Sequence, residues 1–152
     1  MIDERLQTSF WLSEFLRSDT AVRKGIDNTP APEVLNNLRN VLAPGLQRVR
    51  NLLRVPMQIT SGYRSPVLNA AVGGARDSQH LLGLAADFVA PEFGLPVTIA
   101  SYLLQHAPEL RFDQLIQEGT WVHISFVPGV PRGDVLTAHF VDGHATYSRG
   151  LS

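Results

Sequence analysis

The sequence contains no cysteine, and this absence excludes several kinds of site at once. Disulfides, a thiol nucleophile and cysteine-ligated zinc are all ruled out, so any bound metal must take its ligands from His, Asp or Glu. Long apolar runs are also missing, because none approaches the ~20 residues of a transmembrane helix. The N-terminal segment carries Asp3 and Glu4 where a signal peptide would carry positive charge. We therefore expect synthesis in the cytoplasm without a signal peptide.

The chain also lacks a strong net charge, since 13 basic and 14 acidic residues give −1 at pH 7. Such a chain has no basic field to attract phosphate backbones or anionic lipid, and we expect neither nucleic acid nor membrane as a partner. Its 44% hydrophobic and 18% charged residues are typical of a globular protein. A length of 152 residues predicts a single domain over residues 1–152 with one core, and we expect a monomer.

Apolar periodicity predicts helices in the first part of the chain. Residues 10–16 have a weak amphipathic pattern that favours a short helix. In residues 32–53, apolar side chains recur at steps of three and four, which predicts a long helix with one buried stripe. Pro44 should kink or divide that helix. A shorter helical pattern covers residues 97–106.

Strand patterns dominate the rest of the sequence. Alternating apolar residues predict a strand over residues 55–61. The segments DQLIQ and WVHISF flank Glu118-Gly119, a pair of turn formers that predicts a hairpin. A second hairpin is predicted around Asp142-Gly143. Helices at the front and antiparallel strands behind predict an α+β domain.

His80 and Asp87 bracket Gly83 in an otherwise apolar stretch. An aspartate at the start of an apolar strand is costly to bury without a cation or hydrogen bonds. A zinc ion would supply that cation. A capped loop with an ion pair from Asp87 to Arg64 or Arg76 is the alternative interpretation.

His123 favours the metal site over that alternative. It lies in WVHISF, where strand alternation places Trp121, His123 and Ser125 on the same face. Two histidines and an aspartate, with a fourth position left to water, are typical of catalytic zinc, whereas structural zinc usually takes all four ligands from protein. We therefore predict one Zn²⁺ per chain.

Three segments of the sequence resemble a known family. TSGYRSPVLNAAVGG, SQHLLGLAADF and WVHISF are together similar to the zinc D-alanyl-D-alanine carboxypeptidases and their phage-encoded relatives, which have the hedgehog/DD-peptidase fold. The family pattern S-x-H-x-x-G-x-A-x-D is matched at Ser78, His80, Gly83, Ala85 and Asp87. FWLSEFLRSDTAVRKGIDNTP and TAHFVDGHATYS extend the resemblance over nearly the whole chain. It implies a single domain with N-terminal helices packed on a mainly antiparallel sheet, and a metal held by His80, Asp87 and His123.

Three further residues, Arg64, Ser78 and Gln114, are predicted to bind the substrate. Arg64 matches the family arginine that neutralises a substrate carboxylate or carbonyl, and its alternative role is a surface ion pair. Ser78 either caps the turn before His80, which we favour, or bonds the substrate. Gln114 would lie opposite His123 if Glu118-Gly119 form a two-residue turn, which makes it a candidate for supporting the site.

The position of the family's general base is not matched by an acid in this chain. Several family members have an acid three residues before the last histidine, where this chain has Thr120. Glu118 is the nearest acid, and a bend at Gly119 would bring its carboxylate to the metal site. A solvated turn residue is its alternative role. His106, His139 and His144 have no partner at ligand spacing and are assigned no function.

These observations predict zinc-dependent hydrolysis of peptidoglycan stem peptides, with Glu118 as base and Arg64 orienting the substrate. The candidate bonds are D-Ala-D-Ala termini, other bonds to D-amino acids, and the L-Ala-D-Glu bond. One alternative is a non-catalytic phage virion, tail-assembly or wall-binding protein that keeps the fold. Another is a scaffold with a structural zinc or no metal. A phage-encoded enzyme acting in the host periplasm or cell wall, or a virion component, fits the expected lack of a signal peptide.

Overall fold

A computed structural model describes residues 2–152 of the chain. The helices are α1 (Leu12–Leu16), α2 (Asp19–Lys24), α3 (Pro32–Asn37), α4 (Ala43–Leu53), α5 (Pro66–Ala71), α6 (Pro96–Gln105) and α7 (Ala107–Leu110), with a π-helical turn at Leu38–Leu42 and a 3-10 helix at Gln79–Leu82. The strands are β1 (Arg5–Gln7), β2 (Phe10–Trp11), β3 (Gln58–Ser61), β4 (Ala85–Val89), β5 (Gln114–Gln117), β6 (Val122–Ser125), β7 (Asp134–Val141) and β8 (His144–Arg149).

Within these residues, strands β3 to β8 form a six-stranded sheet in the order β3-β4-β6-β5-β7-β8. Neighbouring strands are antiparallel except for the parallel pair β5 and β7. The predicted α+β fold with N-terminal helices and a mainly antiparallel sheet is confirmed. In this order β4 and β6 lie inside the sheet, β3 is at one edge, and the β7–β8 hairpin forms the other edge.

The predicted long helix runs from α3 through the π-helical turn into α4, and it supplies much of the core. Leu38, Leu42 and Leu46 are fully buried, as expected of the apolar stripe. Pro44 does not divide this segment. A proline removes one backbone donor and its ring clashes with a carbonyl in the turn before it. Here the preceding turn widens, with Ala43 N–H donating to Leu38 O. In residues 2–152 every helix is too short or too polar to span a membrane.

The hairpin of β5 and β6 differs from its prediction in the length of its turn. Gln117 pairs with Val122, so the connection contains the four residues 118–121 and not two. Glu118 N–H donates to Trp121 O, and Gly119 has a φ of +79°, a conformation that favours glycine. The longer turn shifts the register. As a result Gln114 lies opposite Ser125, and its predicted position opposite His123 is wrong.

The C-terminal hairpin follows its prediction closely. Val141 pairs with His144, and the two residues between them, Asp142 and Gly143, have φ values of +51° and +79°. Positive φ at both central positions is typical of a type I′ turn, which matches the twist of the flanking strands.

The predicted helix near the N-terminus is shorter than expected, because Phe10 belongs to β2 and α1 begins at Leu12.

Candidate metal centre and cleft

Three elements bring His80, Asp87 and His123 together. His80 lies in the 3-10 helix, whereas Asp87 and His123 are directly paired residues of β4 and β6. His80 Nε2 lies 3.3 Å from Asp87 Oδ1, and His123 Nδ1 lies 3.0 Å from the same oxygen. All three side chains are buried. Residues far apart in sequence therefore form a compact polar cluster inside the fold.

The orientation of His80 is fixed by its surroundings. Ser78 Oγ accepts a 3.2 Å hydrogen bond from His80 N–H, so the predicted cap is confirmed. His80 Nδ1 donates to Gly62 O at 2.7 Å, which turns Nε2 toward Asp87. Gly83 ends the helix with a φ of +72°, and a Cβ there would lie 2.9 Å from Val34 Cγ1. This tight turn requires glycine.

The cluster keeps Asp87 ionised. Burial alone would raise the pKa of this carboxyl, but the charge of His80 and the hydrogen bond from His123 outweigh it and hold the pKa well below its usual range. The second oxygen, Oδ2, lies 3.3 Å from Arg64 Nη2. The ion pair from Asp87 to Arg64, which belonged to the alternative interpretation of the sequence, is therefore present together with the two histidines.

The geometry of the cluster fits a metal ion. One ligand atom from each of His80, Asp87 and His123 lies within 4.8 Å of the others. The 3.0 and 3.3 Å separations are close to the ~3.3–3.4 Å edge of a tetrahedron with metal–ligand bonds of ~2.0–2.1 Å. Two imidazoles and one carboxylate suit zinc, and three protein ligands leave a coordination position for water or substrate.

Arg64 is held beside the cluster by several contacts. Its Nε donates to Ser61 Oγ at 3.0 Å and its Nη1 to Asn69 Oδ1 at 3.1 Å. Asn69 in turn donates to Ala75 O at 2.8 Å, which fixes the loop after α5. A Cβ on Gly74 would lie 2.8 Å from Arg64 Nη1 and would overlap Asn69 Oδ1. These contacts hold the guanidinium in one position beside Asp87.

The cluster opens into a cleft of about 780 Å³, and Glu118 lines this cleft together with the three ligand residues. Burial raises the pKa of the half-buried Glu118, and the charge of Asp87 raises it further, against the opposing effects of His123 and Arg64. The turn at Gly119 therefore places Glu118 at the cleft, and its role as general base stays a prediction. Thr120 is an exposed residue of the same turn.

Gln114 and Ser78 also line the cleft. Gln114 Nε2 donates to Asp134 Oδ2 at 2.9 Å, so part of its amide is occupied by the start of β7. Gln114 pairs with Ser125, which lies two residues beyond His123 on β6. Gln114 therefore meets the cleft at a different position along the sheet from His123. A role for either residue in binding substrate stays a prediction.

The sequence did not indicate several other residues of the cleft. Phe140, His144 and Tyr147 of the C-terminal hairpin line it, although His144 was assigned no function. Trp121 was placed on the His123 face and also lines the cleft, and its Nε1 is buried without a hydrogen-bond partner in the described residues. The alternation in β7 and β8 was visible, but the face that meets the cleft depends on distant pairing with β5. The remaining histidines contact local partners, His106 with Glu109 and His139 with Ser148.

Asp113 is another residue that the sequence did not single out. It is buried, and its Oδ2 accepts hydrogen bonds from Arg132 Nη2 at 2.8 Å and Gln79 Nε2 at 3.0 Å. Gln79 is the residue before His80, and Arg132 lies in the connection between β6 and β7. Asp113 therefore ties the helix that carries His80 to the segment that leads into the hairpin.

A family model for Peptidase M15 matches residues 8–125, more than three quarters of the chain. The chain belongs to peptidase family M15. Peptidases of this family are zinc-dependent, which agrees with the two histidines and one aspartate found in the cleft. Comparison of the sequence with curated proteins finds no significant match.

The part of the chain that matches family M15 includes His80, Asp87 and His123, as well as Arg64 and Glu118. It ends at the last residue of β6, so the β7–β8 hairpin lies outside the match. One side of the cleft is therefore shared with the family model, and the other side comes from a segment beyond it.

Proposed function

We propose that this M15 peptidase hydrolyses peptidoglycan stem peptides with one bound Zn²⁺, acting as a D-alanyl-D-alanine carboxypeptidase. The observation that carries the proposal is the buried cluster of His80, Asp87 and His123 at the base of a cleft that also presents Arg64 and Glu118. A murein endopeptidase that cuts another bond of the stem peptide is the related activity to be distinguished by experiment.

The chain's residues would bind zinc and transfer protons during the reaction. When bound, zinc supplies a Lewis acid that polarises the scissile carbonyl and makes water a better nucleophile at neutral pH. Glu118 removes a proton from the attacking water and passes it to the leaving amine. A raised pKa supports this role, because a base with a pKa closer to the working pH is also a better acid for the second step.

Arg64 would bind the free carboxylate of the substrate's last residue. A planar guanidinium can form two parallel hydrogen bonds to a carboxylate. The contacts of Arg64 with Ser61 and Asn69 hold its head in place, so binding costs little side-chain entropy. Ser78, at the start of the same 3-10 helix as His80, is within the cleft and would contact the substrate backbone.

The proposed substrate determines the proposed setting. We infer that peptidoglycan peptides are the partners and that a monomer suffices, because the residues proposed for chemistry all come from one chain. From the charge of −1 we still expect neither nucleic acid nor membrane as a partner. Action on a host cell wall by a phage-encoded lysis enzyme or virion component is the setting we propose.

The test is digestion of defined muropeptides by the zinc-loaded protein, with products identified by mass spectrometry. Release of free D-alanine from a pentapeptide stem is the expected result, and chelation should abolish it until zinc is restored. Release of two peptide fragments would instead identify an endopeptidase. A zinc-loaded protein that binds peptidoglycan but releases no new amine would favour the non-catalytic wall-binding alternative.

A further inference from the structure

The β7–β8 hairpin presents an aromatic face to the cleft. Antiparallel pairing joins Phe140 to Ala145 and Ala138 to Tyr147, so these four side chains share one face of the hairpin. Phe140, Ala145 and Tyr147 all line the cleft, as does Leu136 on the same face. Phe140 and Tyr147 are each 52% exposed. Two large aromatic side chains therefore remain accessible inside a polar site.

The hairpin wall, defined as Phe140 and Tyr147, is continuous with the catalytic side of the cleft. A Cβ built on Gly119 would lie 3.4 Å from Phe140 Cε2, so this ring packs over the turn that carries Glu118. Burial raises the pKa of the Tyr147 hydroxyl, and the nearby charges of Glu118 and Asp87 raise it further. Both rings thus lie beside groups of the proposed active site and not on a remote surface.

The strand order places the hairpin wall and Arg64 on opposite sides of the metal ligands. Arg64 follows β3, the first strand of the order β3-β4-β6-β5-β7-β8. Asp87 and His123 lie on the next two strands, and the hairpin comes last. A peptide whose terminal carboxylate reaches Arg64 and whose scissile carbonyl reaches the metal ligands must continue toward the hairpin.

We propose that Phe140 and Tyr147 bind the substrate residues that precede the terminal D-Ala-D-Ala dipeptide. This inference rests on the proposed function. The two rings offer flat apolar surfaces for the aliphatic parts of a peptide, and Tyr147 adds a hydroxyl that can bond a peptide group. A cleft of about 780 Å³ lies in the upper part of the ~300–1,000 Å³ range of small-molecule sites, which leaves room beyond a terminal dipeptide.

The experiment compares two substrates, a pentapeptide stem ending in D-Ala-D-Ala and the dipeptide D-Ala-D-Ala alone. Phe140→Ala and Tyr147→Ala should each lower kcat/KM for the pentapeptide by about 3- to 10-fold, mainly through a higher KM. The kcat/KM for the dipeptide should stay unchanged. Tyr147→Phe separates the ring from the hydroxyl. The matched control is Val141→Ala, because Val141 is 61% exposed on the same hairpin and does not line the cleft. It should behave as the parent with both substrates.

A binding measurement separates this inference from the proposed function. The acyl-side product peptide, without the leaving D-Ala, is titrated calorimetrically into the parent, Phe140→Ala and Tyr147→Ala. Weaker binding by both variants supports the proposed contacts of Phe140 and Tyr147 with the peptide. This holds even if the parent hydrolyses neither substrate, because a lack of hydrolysis would overturn only the proposed function. Equal loss on pentapeptide and dipeptide, unchanged kinetics, or equal product binding by parent and variants would each overturn the inference.

Discussion

The two walls of the cleft differ in burial, in origin and in what holds them. The wall that carries the metal ligands consists of β4, β6 and the 3-10 helix, and its polar groups bond one another in a buried network. The opposite wall is the β7–β8 hairpin, whose aromatic rings are half exposed and lie outside the segment that matches family M15. A change in the first wall leaves a buried charge without a partner, whereas a change in the second removes an exposed surface. Substitutions in the wall with the metal ligands should therefore be strongly destabilising, whereas substitutions in the hairpin should cost little stability.

The largest expected effect comes from the ligand wall. His80→Ala and His123→Ala should each abolish activity and reduce bound zinc far below one per chain, because two remaining ligands hold the ion too weakly. Metal content by mass spectrometry after loading and dialysis checks this. His106→Ala is the control, since His106 contacts Glu109 away from the cleft, and it should retain stoichiometric zinc. Full zinc binding by either ligand variant would contradict the assignment.

Glu118→Gln should give the next largest effect, lowering turnover by ~10²–10⁴-fold while zinc and fold are retained. The active form is the carboxylate, so activity of the parent should fall as the pH drops through a pKa raised above the ordinary 4.5 of glutamate. A pH profile of kcat/KM measures this limb. Thr120→Val, in the same turn, should leave both turnover and profile nearly unchanged. Normal turnover in the glutamine variant would mean that another group is the base.

Arg64→Ala should lower kcat/KM by roughly 10- to 100-fold, the equivalent of the ~1.5–3 kcal/mol of a charge-assisted hydrogen bond. Amidating the terminal carboxylate of the substrate should cause a similar loss in the parent and little further loss in Arg64→Ala. Zinc content must be measured in parallel, because Arg64 also contacts Asp87. Arg76→Ala, an exposed arginine of the next loop, is the control. Equal cleavage of amidated and free substrates by the parent would point to an endopeptidase.

Gly74→Ala tests whether Arg64 must be positioned in advance. The added Cβ overlaps Asn69 Oδ1 and presses on Arg64 Nη1, so kcat/KM should fall a few-fold, less than in Arg64→Ala. The loss should disappear with the amidated substrate, which Arg64 cannot bind through a carboxylate. Gly129→Ala has open space around its Cβ and should match the parent. A loss that persists with the amidated substrate would indicate a change elsewhere in the loop.

The smallest expected effect concerns Asp113, which connects the two walls. Burial alone would raise the pKa of Asp113, but hydrogen bonds from Arg132 outweigh it and lower the pKa below the ordinary 3.8. A group with a lowered pKa stabilises the fold above its unfolded pKa and loses that contribution as the pH falls. Asp113→Asn should therefore cost about 1 kcal/mol at pH 7, since Arg132 is partly solvated, and the difference should shrink below pH ~4. Urea midpoints at the two pH values measure it, and a difference independent of pH would refute the ionic explanation.

The local parts of this comparison were predictable from sequence. Apolar steps of three and four predicted the helical core, and Asp142-Gly143 predicted the second hairpin, because each depends on neighbours along the chain. The cap of Ser78 on His80 and the tight turn at Gly83 are likewise local. The turn after β5 was predicted two residues too short, since nothing local distinguishes a two-residue from a four-residue connection around Glu118-Gly119.

The sequence by itself determined the long core helix, the two hairpins near the C-terminus, the absence of cysteine ligands and the residues able to bind a metal. The tertiary structure decided which of those residues meet: the register that pairs Asp87 with His123, and the network that holds Arg64 between Ser61, Asn69 and Asp87. It also decided that β7 pairs in parallel with β5, which turns the hairpin's aromatic face toward the cleft. The physical reason is that strand pairing joins residues distant in sequence, and a pattern of period two indicates that a strand has two faces without indicating what each face will meet.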